Sequence, residues 1–115
     1  MNRTRENRPQ DTLTALFSPA SVAVIGASRD EGKIGHALLA NILDSGYEGK
    51  VYPINPSAGE VLNLPCYRDI HSVKDPVDLA VVCIPAPAVL DALEACVRHG
   101  VRAAIVISAG FRETG

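Results

Sequence analysis

Val22-Ala23-Val24-Ile25-Gly26-Ala27-Ser28, continued by Gly32-Lys33-Ile34-Gly35 and an apolar run, decides how this chain folds. A buried strand that opens through small residues into a helix is the phosphate cradle of α/β proteins. Glycine lets the backbone come close, and the amides at the helix N-terminus face an anion. The stretch is not an exact G-x-G-x-x-G, because Ser28 stands at the second glycine, where its hydroxyl is placed to donate to a phosphate oxygen. Nor is Gly32-Lys33 a Walker motif, which needs Ser or Thr where Ile34 stands. Lys33 brings a cation to the same loop, while Asp30 and Glu31 oppose an anion unless they turn to solvent. The bland alternative is that Gly26 and Gly35 serve only tight strand–helix packing. On the cradle reading, Gly26→Val abolishes binding by filling the phosphate approach, and Ser28→Ala weakens it by about 1 kcal/mol.

Outward from this stretch the chain alternates between strand and helix patterns. Residues 33–45 read as a helix, with Ile34, Ala37, Leu38 and Ile42 on one face and Gly46 at the position of a C′ glycine. Residues 51–55 form a second strand, stopped by Pro56. Residues 57–78 are the least regular, with an edge strand expected near 65–67 and a helical turn around 69–73. Residues 79–84 are almost wholly apolar, as expected of a strand covered on both faces. Pro87 suits the first position of the next helix, which runs to His99 and stops at Gly100. Its inner stripe is read as Ala86, Val89, Leu90, Leu93 and Val97. Residues 103–108 read as a further buried strand, and no final helix is evident after it.

This rhythm predicts a Rossmann-like, doubly wound and mostly parallel sheet over residues 13–115, following a flexible tail at 1–12. Residues 13–17 are read as a short helix or turn packed on the domain. Ligands of such sheets lie beyond the carboxyl ends of the strands. Four tips then converge: Gly26, Ala27 and Ser28; Asn55 and Pro56; Ile84, Pro85 and Ala86; Ser108, Ala109 and Gly110. The second tip discriminates among cofactors. NAD-binding domains place an acid there and NADP-binding ones an arginine, whereas this strand ends Ile54-Asn55-Pro56-Ser57. The Ile84-Pro85-Ala86-Pro87 corner is rigid, lacks amide donors at 85 and 87, and makes an apolar wall for an adenine or a pantetheine arm.

The composition excludes other classes. At 115 residues, 47% hydrophobic, the chain makes one domain with a real core. A net charge of -2, no Trp, three Tyr and two Phe argue against nucleic acid. No apolar run approaches the roughly 20 residues that span a bilayer, and the N-terminus lacks a signal-peptide core, so neither a membrane nor a secreted location is expected and the cytoplasm is. Cys66, Cys83 and Cys96 have no ligand spacing and read as reduced structural thiols. His36, His71 and His99 form no catalytic arrangement, and neither a catalytic residue nor a metal site is expected.

With the four tips in view, the chain resembles the CoA-binding domain of the NDP-forming acyl-CoA synthetases, which include ADP-forming acetyl-CoA synthetase and the α subunit of succinyl-CoA synthetase. The matching phrases are 22–28, Gly32-Lys33-Ile34-Gly35-His36, the run 46–56 ending Pro53-Ile54-Asn55-Pro56, the run 77–86 ending Ile84-Pro85-Ala86, and Ile107-Ser108-Ala109-Gly110-Phe111. The resemblance implies coenzyme A lying across the crevice, its phosphates on Gly26, Ala27, Ser28 and the turn holding Lys33 and Gly35. It puts Asn55, Pro56, Ile84, Pro85 and Ala86 at the adenosine end, and Ser108, Ala109 and Gly110 toward the thiol. Family members commonly carry a lysine after the Asn-Pro pair; Ser57 stands there. ATP or ADP, Mg and the phosphohistidine belong to other parts of such synthetases, so the remaining synthetase domains or subunits are the implied partners, with an oligomer as a further option. Alternatives from other classes are the CoA-binding-like domain of a protein lysine acetyltransferase, an NAD(P)-binding oxidoreductase domain, and a stand-alone CoA or nucleotide sensor.

Overall fold

Four short strands stack side by side as a parallel sheet, the two central ones almost wholly apolar and buried because helices cover both faces. In the computed structural model, which describes residues 9–107, they are β1 (Ser21–Ile25), β2 (Lys50–Ile54), β5 (Leu79–Val82) and β6 (Ala103–Val106), in the order β2-β1-β5-β6. All pairings are parallel, with Val24 opposite Pro53 and Val81, and Val81 opposite Ile105. Side chains alternate across the sheet. Val22, Val24, Leu79 and Val81 meet α2 (Ile34–Asp44) through Leu38, Leu39 and Ile42. The same face takes Leu16 of α1 (Pro9–Phe17). On the other face, Ala80 and Val82 meet α3 (Ala86–His99) through Val89, Ala92, Leu93 and Cys96. Ala23, Tyr52 and Ile54 there meet a single 3-10 turn, Ile70–Ser72.

The irregular segment holds a small hairpin, β3 (Glu60–Val61) with β4 (Leu64–Pro65), closed by Leu62 and Asn63 at φ of 52° and 69°. Two successive positive-φ residues are the signature of a two-residue hairpin turn. The chain then returns beside β2, where Tyr67 bridges Ile54. This explains Pro53 inside a strand. Its carbonyl points outward to the Tyr67 amide at 2.9 Å, so the missing Pro53 N–H lies on that outer side and costs β1 nothing.

Three sequence expectations need correction. Strand β6 is not buried: it is the edge strand, with Ile105 38% and Val106 43% exposed. Nor do Leu90 and Val97 belong to the inner stripe of α3, being 66% and 76% exposed, while Ala86 is exposed at its first turn. The helix instead turns its smaller residues, Ala92 and Cys96, to Ala80 and Val82, which lets it sit close on the sheet. Finally, α1 begins at Pro9, inside the stretch read as a tail, with proline at the position where its missing N–H is harmless. The expected stop of α3 holds: Gly100 has φ 92°, and its amide and that of Val101 return to Cys96 at 3.0 Å.

Tyr52 ties β2 to the 3-10 region. Its hydroxyl donates to Asp75 at 3.0 Å, and its ring meets Tyr67 edge-on at 5.7 Å. Burial, then the hydrogen bond to the Asp75 carboxylate, pushes the phenol up to about 12. Because the folded state disfavours the phenolate, the stability from this group is complete below the ordinary tyrosine range of about 10 and is lost as pH rises from there towards 12. Alkaline titration of phenolate absorbance is expected to show one late-ionising tyrosine whose ionisation coincides with unfolding by circular dichroism. Tyr52→Phe removes that late step.

Candidate functional site

The carboxyl ends of β1, β2 and β5 open into one crevice of about 800 Å³. Gly26 leaves β1 at φ 103°, with its amide donating to the Ile54 carbonyl at 3.1 Å. A Cβ at Gly26 would fall on the Cys83 carbonyl at the end of β5, and one at Gly35 on the Gly26 carbonyl. Both glycines are therefore required by packing between backbones. The sequence expectation for Gly26→Val had the wrong cause: the added side chain meets the β5 tip, not the phosphate approach.

The loop between β1 and α2 is stapled by its own polar groups. Ser28 Oγ accepts from the Asp30 amide at 3.0 Å, and Asp30 Oδ1 accepts from the Gly32 amide at 2.9 Å. That turns the Asp30 carboxylate into the loop. The Ser28 carbonyl accepts from His36 Nδ1 at 2.9 Å, so His36 braces the cradle. Lys33 is the extended N-cap of α2 and its side chain makes no capping bond. The Ile34 and Gly35 amides precede the first intrahelical acceptors, and neither takes a backbone acceptor among the described residues. Two free donors and an ammonium thus line one wall.

Asn55 lines the second wall and has in addition a structural role that the sequence did not show. Its Nδ2 donates to the Ala27 carbonyl at 2.8 Å, and its Oδ1 accepts from the Ser57 and Ala58 amides at 2.7 and 3.1 Å. The side chain clasps the β1 loop to the β2 tip. Pro56 lies beside it on the crevice wall, and Ile84 and Pro85 supply the third, apolar wall. Of the expected site residues, Gly26, Ala27, Ser28, Lys33, Gly35, Asn55, Pro56, Ile84 and Pro85 line this one space. Ala86 does not line it, because α3 begins there and carries it outward. Ser108, Ala109 and Gly110 lie outside the described residues; Ile107, the last described, still pairs its amide with the Val82 carbonyl at 2.8 Å.

Sequence reasoning missed two groups. Ala88, Ala92 and Ala95 form a floor along α3, at a helical spacing of small residues that was there to be read. Arg68 and Asp69 line the mouth, brought in by the Tyr67 bridge to β2, for which no local signal exists. An arginine therefore follows the rung beside the β2 tip after all, supplied from 68 and not from the strand. Cys83 also lines the crevice, its Sγ donating to the Ile25 carbonyl at 3.3 Å, and burial pushes its thiol up. Burial does the same to Cys96 and Cys66, the latter opposed by Arg29. All three are free thiols. With Cys66 the least buried, an aromatic disulfide reagent at neutral pH is expected to titrate Cys66 first and to reach Cys83 and Cys96 only on unfolding. Three equally fast thiols would contradict the packing. Among the described residues no His/Cys/Asp/Glu cluster could hold a metal ion, and no helix is long and apolar enough to cross a membrane.

A parallel β2-β1-β5-β6 sheet with helices on both faces, and a glycine-built crevice with free amides at its carboxyl edge, defines the Rossmann-like α/β class. Within that class the chain belongs to the CoA binding domain family, whose model matches residues 20–114. It is 44% identical over 103 residues to an ADP-forming acetate–CoA ligase II of Archaeoglobus fulgidus, covering 90% of this chain and 15% of that protein. To the α subunit of ADP-forming acetate–CoA ligase I of Pyrococcus furiosus it is 45% identical over 108 residues, covering 90% of this chain and 23% of that one. Its structure matches the dinucleotide-forming acetyl-coenzyme A synthetase 1 of Ca. Korarchaeum cryptofilum, in complex with phosphate and ADP, at a TM-score of 0.83 and 46% identity, over 88% of this chain and 22% of that chain. The chain thus spans under a quarter of the length of each of these relatives.

Proposed function

We propose that this domain holds coenzyme A for an ADP-forming acid–CoA ligase, presenting it to an acyl phosphate made by other domains or subunits of the enzyme. The observation that carries the reading is the crevice wall made by Lys33 and the unpartnered Ile34 and Gly35 amides, in a chain of this family. A pyrophosphate fits such a wall, since amide dipoles and an ammonium are arranged before the ligand arrives. The Pro85 corner and the Ala88, Ala92 and Ala95 floor offer apolar contact to the adenine or the pantetheine arm. The domain's own part is to bind and orient. Among the described residues no polar groups in the crevice form a nucleophile–base pair, and the chemistry of activation is assigned to the rest of the synthetase.

An NAD site fits less well. Strand β2 ends without a carboxylate for a ribose diol, Oδ1 of the nearby Asp69 is taken by Ser72, and the Asn55 side chain is already spent on Ala27, Ser57 and Ala58. Calorimetric titration of the chain with CoA and with NAD under one set of conditions tests the reading. CoA is expected to bind and NAD to give no heat. Binding of NAD with no response to CoA would overturn it.

A further inference from the structure

Two cationic residues line the crevice among the described residues, Lys33 and Arg68, and the proposed pyrophosphate contact uses only Lys33. Lys33 sits with the α2 amides at the β1 tip. Arg68 sits at the β2 side, and the backbone fixes where it starts. Asn55 donates its amide to the Tyr67 carbonyl at 2.9 Å, and the Tyr67 amide returns to Pro53 at 2.9 Å. Tyr67 thus continues the sheet as one further rung outside β2, and Arg68 leaves that rung directly beside Asn55 and Pro56. Its guanidinium makes no hydrogen bond or ion pair among the described residues. The neighbouring carboxylate of Asp69, which also lines the crevice, is engaged through Oδ1, which accepts from both the amide and the hydroxyl of Ser72 at 3.0 Å. Among the described residues the other nearby cation, Arg29, does not line the crevice and is held on the hairpin by its Nε bond to the Glu60 carbonyl at 2.9 Å; the strand itself runs on as Pro56-Ser57-Ala58, and the Asn55 amide is committed.

In sheets of this kind the end of the second strand meets the ribose, and an arginine there takes a phosphate esterified to that ribose. We propose that Arg68 recognises a ribose phosphomonoester at the adenosine end of the ligand, the 3′-phosphate of coenzyme A, and so sets specificity for CoA over its dephospho form. The inference rests on the CoA reading and adds a residue and a discriminating contact to it. A planar guanidinium suits this task because it meets two phosphate oxygens with parallel N–H groups, which an ammonium cannot do.

The test is a calorimetric matrix of wild type, Arg68→Ala and Arg68→Lys against CoA, dephospho-CoA and NADP, with thermal melts showing that each variant is folded. Wild type is expected to bind CoA about tenfold more tightly than dephospho-CoA, as one charge-assisted contact at an open site supplies. Arg68→Ala is expected to lose that tenfold preference by weakening CoA alone, and Arg68→Lys to retain part of it. Equal weakening toward CoA and dephospho-CoA would overturn the proposal, because Arg68 would then act on a part common to both. An unchanged Arg68→Ala would overturn it as well. Wild type binding NADP and not CoA would transfer the contact to a 2′-phosphate and refute the CoA assignment. Wild type silent toward CoA and dephospho-CoA alike would refute the underlying reading itself, a result distinct from a failure of Arg68.

Discussion

Gly26→Val and Gly35→Val are each expected to prevent stable folding, with losses above about 4 kcal/mol, in the range reserved for overpacking against backbone or for strain at a special dihedral. At Gly26 both mechanisms act together. The residue holds φ 103°, and its Cβ would land on the Cys83 carbonyl. At Gly35 the Cβ would land on the Gly26 carbonyl, which cannot retreat because the Gly26 amide is held by Ile54. A domain with only about 5–15 kcal/mol of stability does not absorb such a loss easily. The controls are glycines whose surroundings are open. Gly59→Ala meets nothing within 4 Å and is expected to melt within a degree or two of wild type. Gly46→Ala also has room but sits at φ 85°, so a loss of about 1 kcal/mol is expected. Circular dichroism melts of the four variants are the measurement. A Gly26→Val protein that melts within a few degrees of wild type would refute the backbone-contact argument.

The next largest effect is expected at Asn55. Asn55→Ala removes the bond to Ala27 and the two bonds from Ser57 and Ala58, and leaves the part-buried Ala58 amide and Ala27 carbonyl, with the exposed Ser57 amide, to find water. A cost of about 2–4 kcal/mol is expected. Ligand affinity falls with it, since the clasp aligns the β1 loop with the β2 tip. Asn55→Asp separates the two roles of the side chain. The acceptor side is kept for Ser57 and Ala58, but an oxygen replaces the Nδ2 donor opposite the Ala27 carbonyl and adds a negative charge to the phosphate crevice. It is expected to be folded yet to bind CoA at least tenfold more weakly, as repulsion and loss of the clasp act in the same direction. Melting curves and calorimetry on both variants check this. Wild-type stability in Asn55→Ala would mean that the clasp is ornamental.

Much of the fold was legible because it rests on local patterns. The all-apolar runs at 22–25 and 79–82 announced strands covered on both faces, and the glycine after the first announced the turn into the next helix. Alternation of strands with helices then fixed the right-handed parallel order and brought the tips together. Nine of the expected site residues accordingly meet in one crevice. What misled was hydrophobicity taken as burial. Leu90 and Val97 are as apolar as Leu93, yet they face outward, because the sheet beneath α3 offers Ala80 and Val82 to small partners and ends at β6. The clasp that Asn55 makes was not legible in the sequence either, since its Nδ2 partner, the Ala27 carbonyl, lies 28 residues away along the chain.

The sequence by itself determined the strand–glycine–helix cradle and the parallel α/β order, because hydrophobic period, proline and glycine act through neighbours a few residues away, and the resemblance of its ordered phrases pointed to the family. The tertiary structure alone decided which residues complete the site. Arg68 reaches the β2 tip only because Tyr67 pairs with Ile54 across a hairpin, and Gly26 must be glycine because of a carbonyl at position 83. Such contacts join residues whose separation along the chain carries no period, so only the closed sheet brings them within reach.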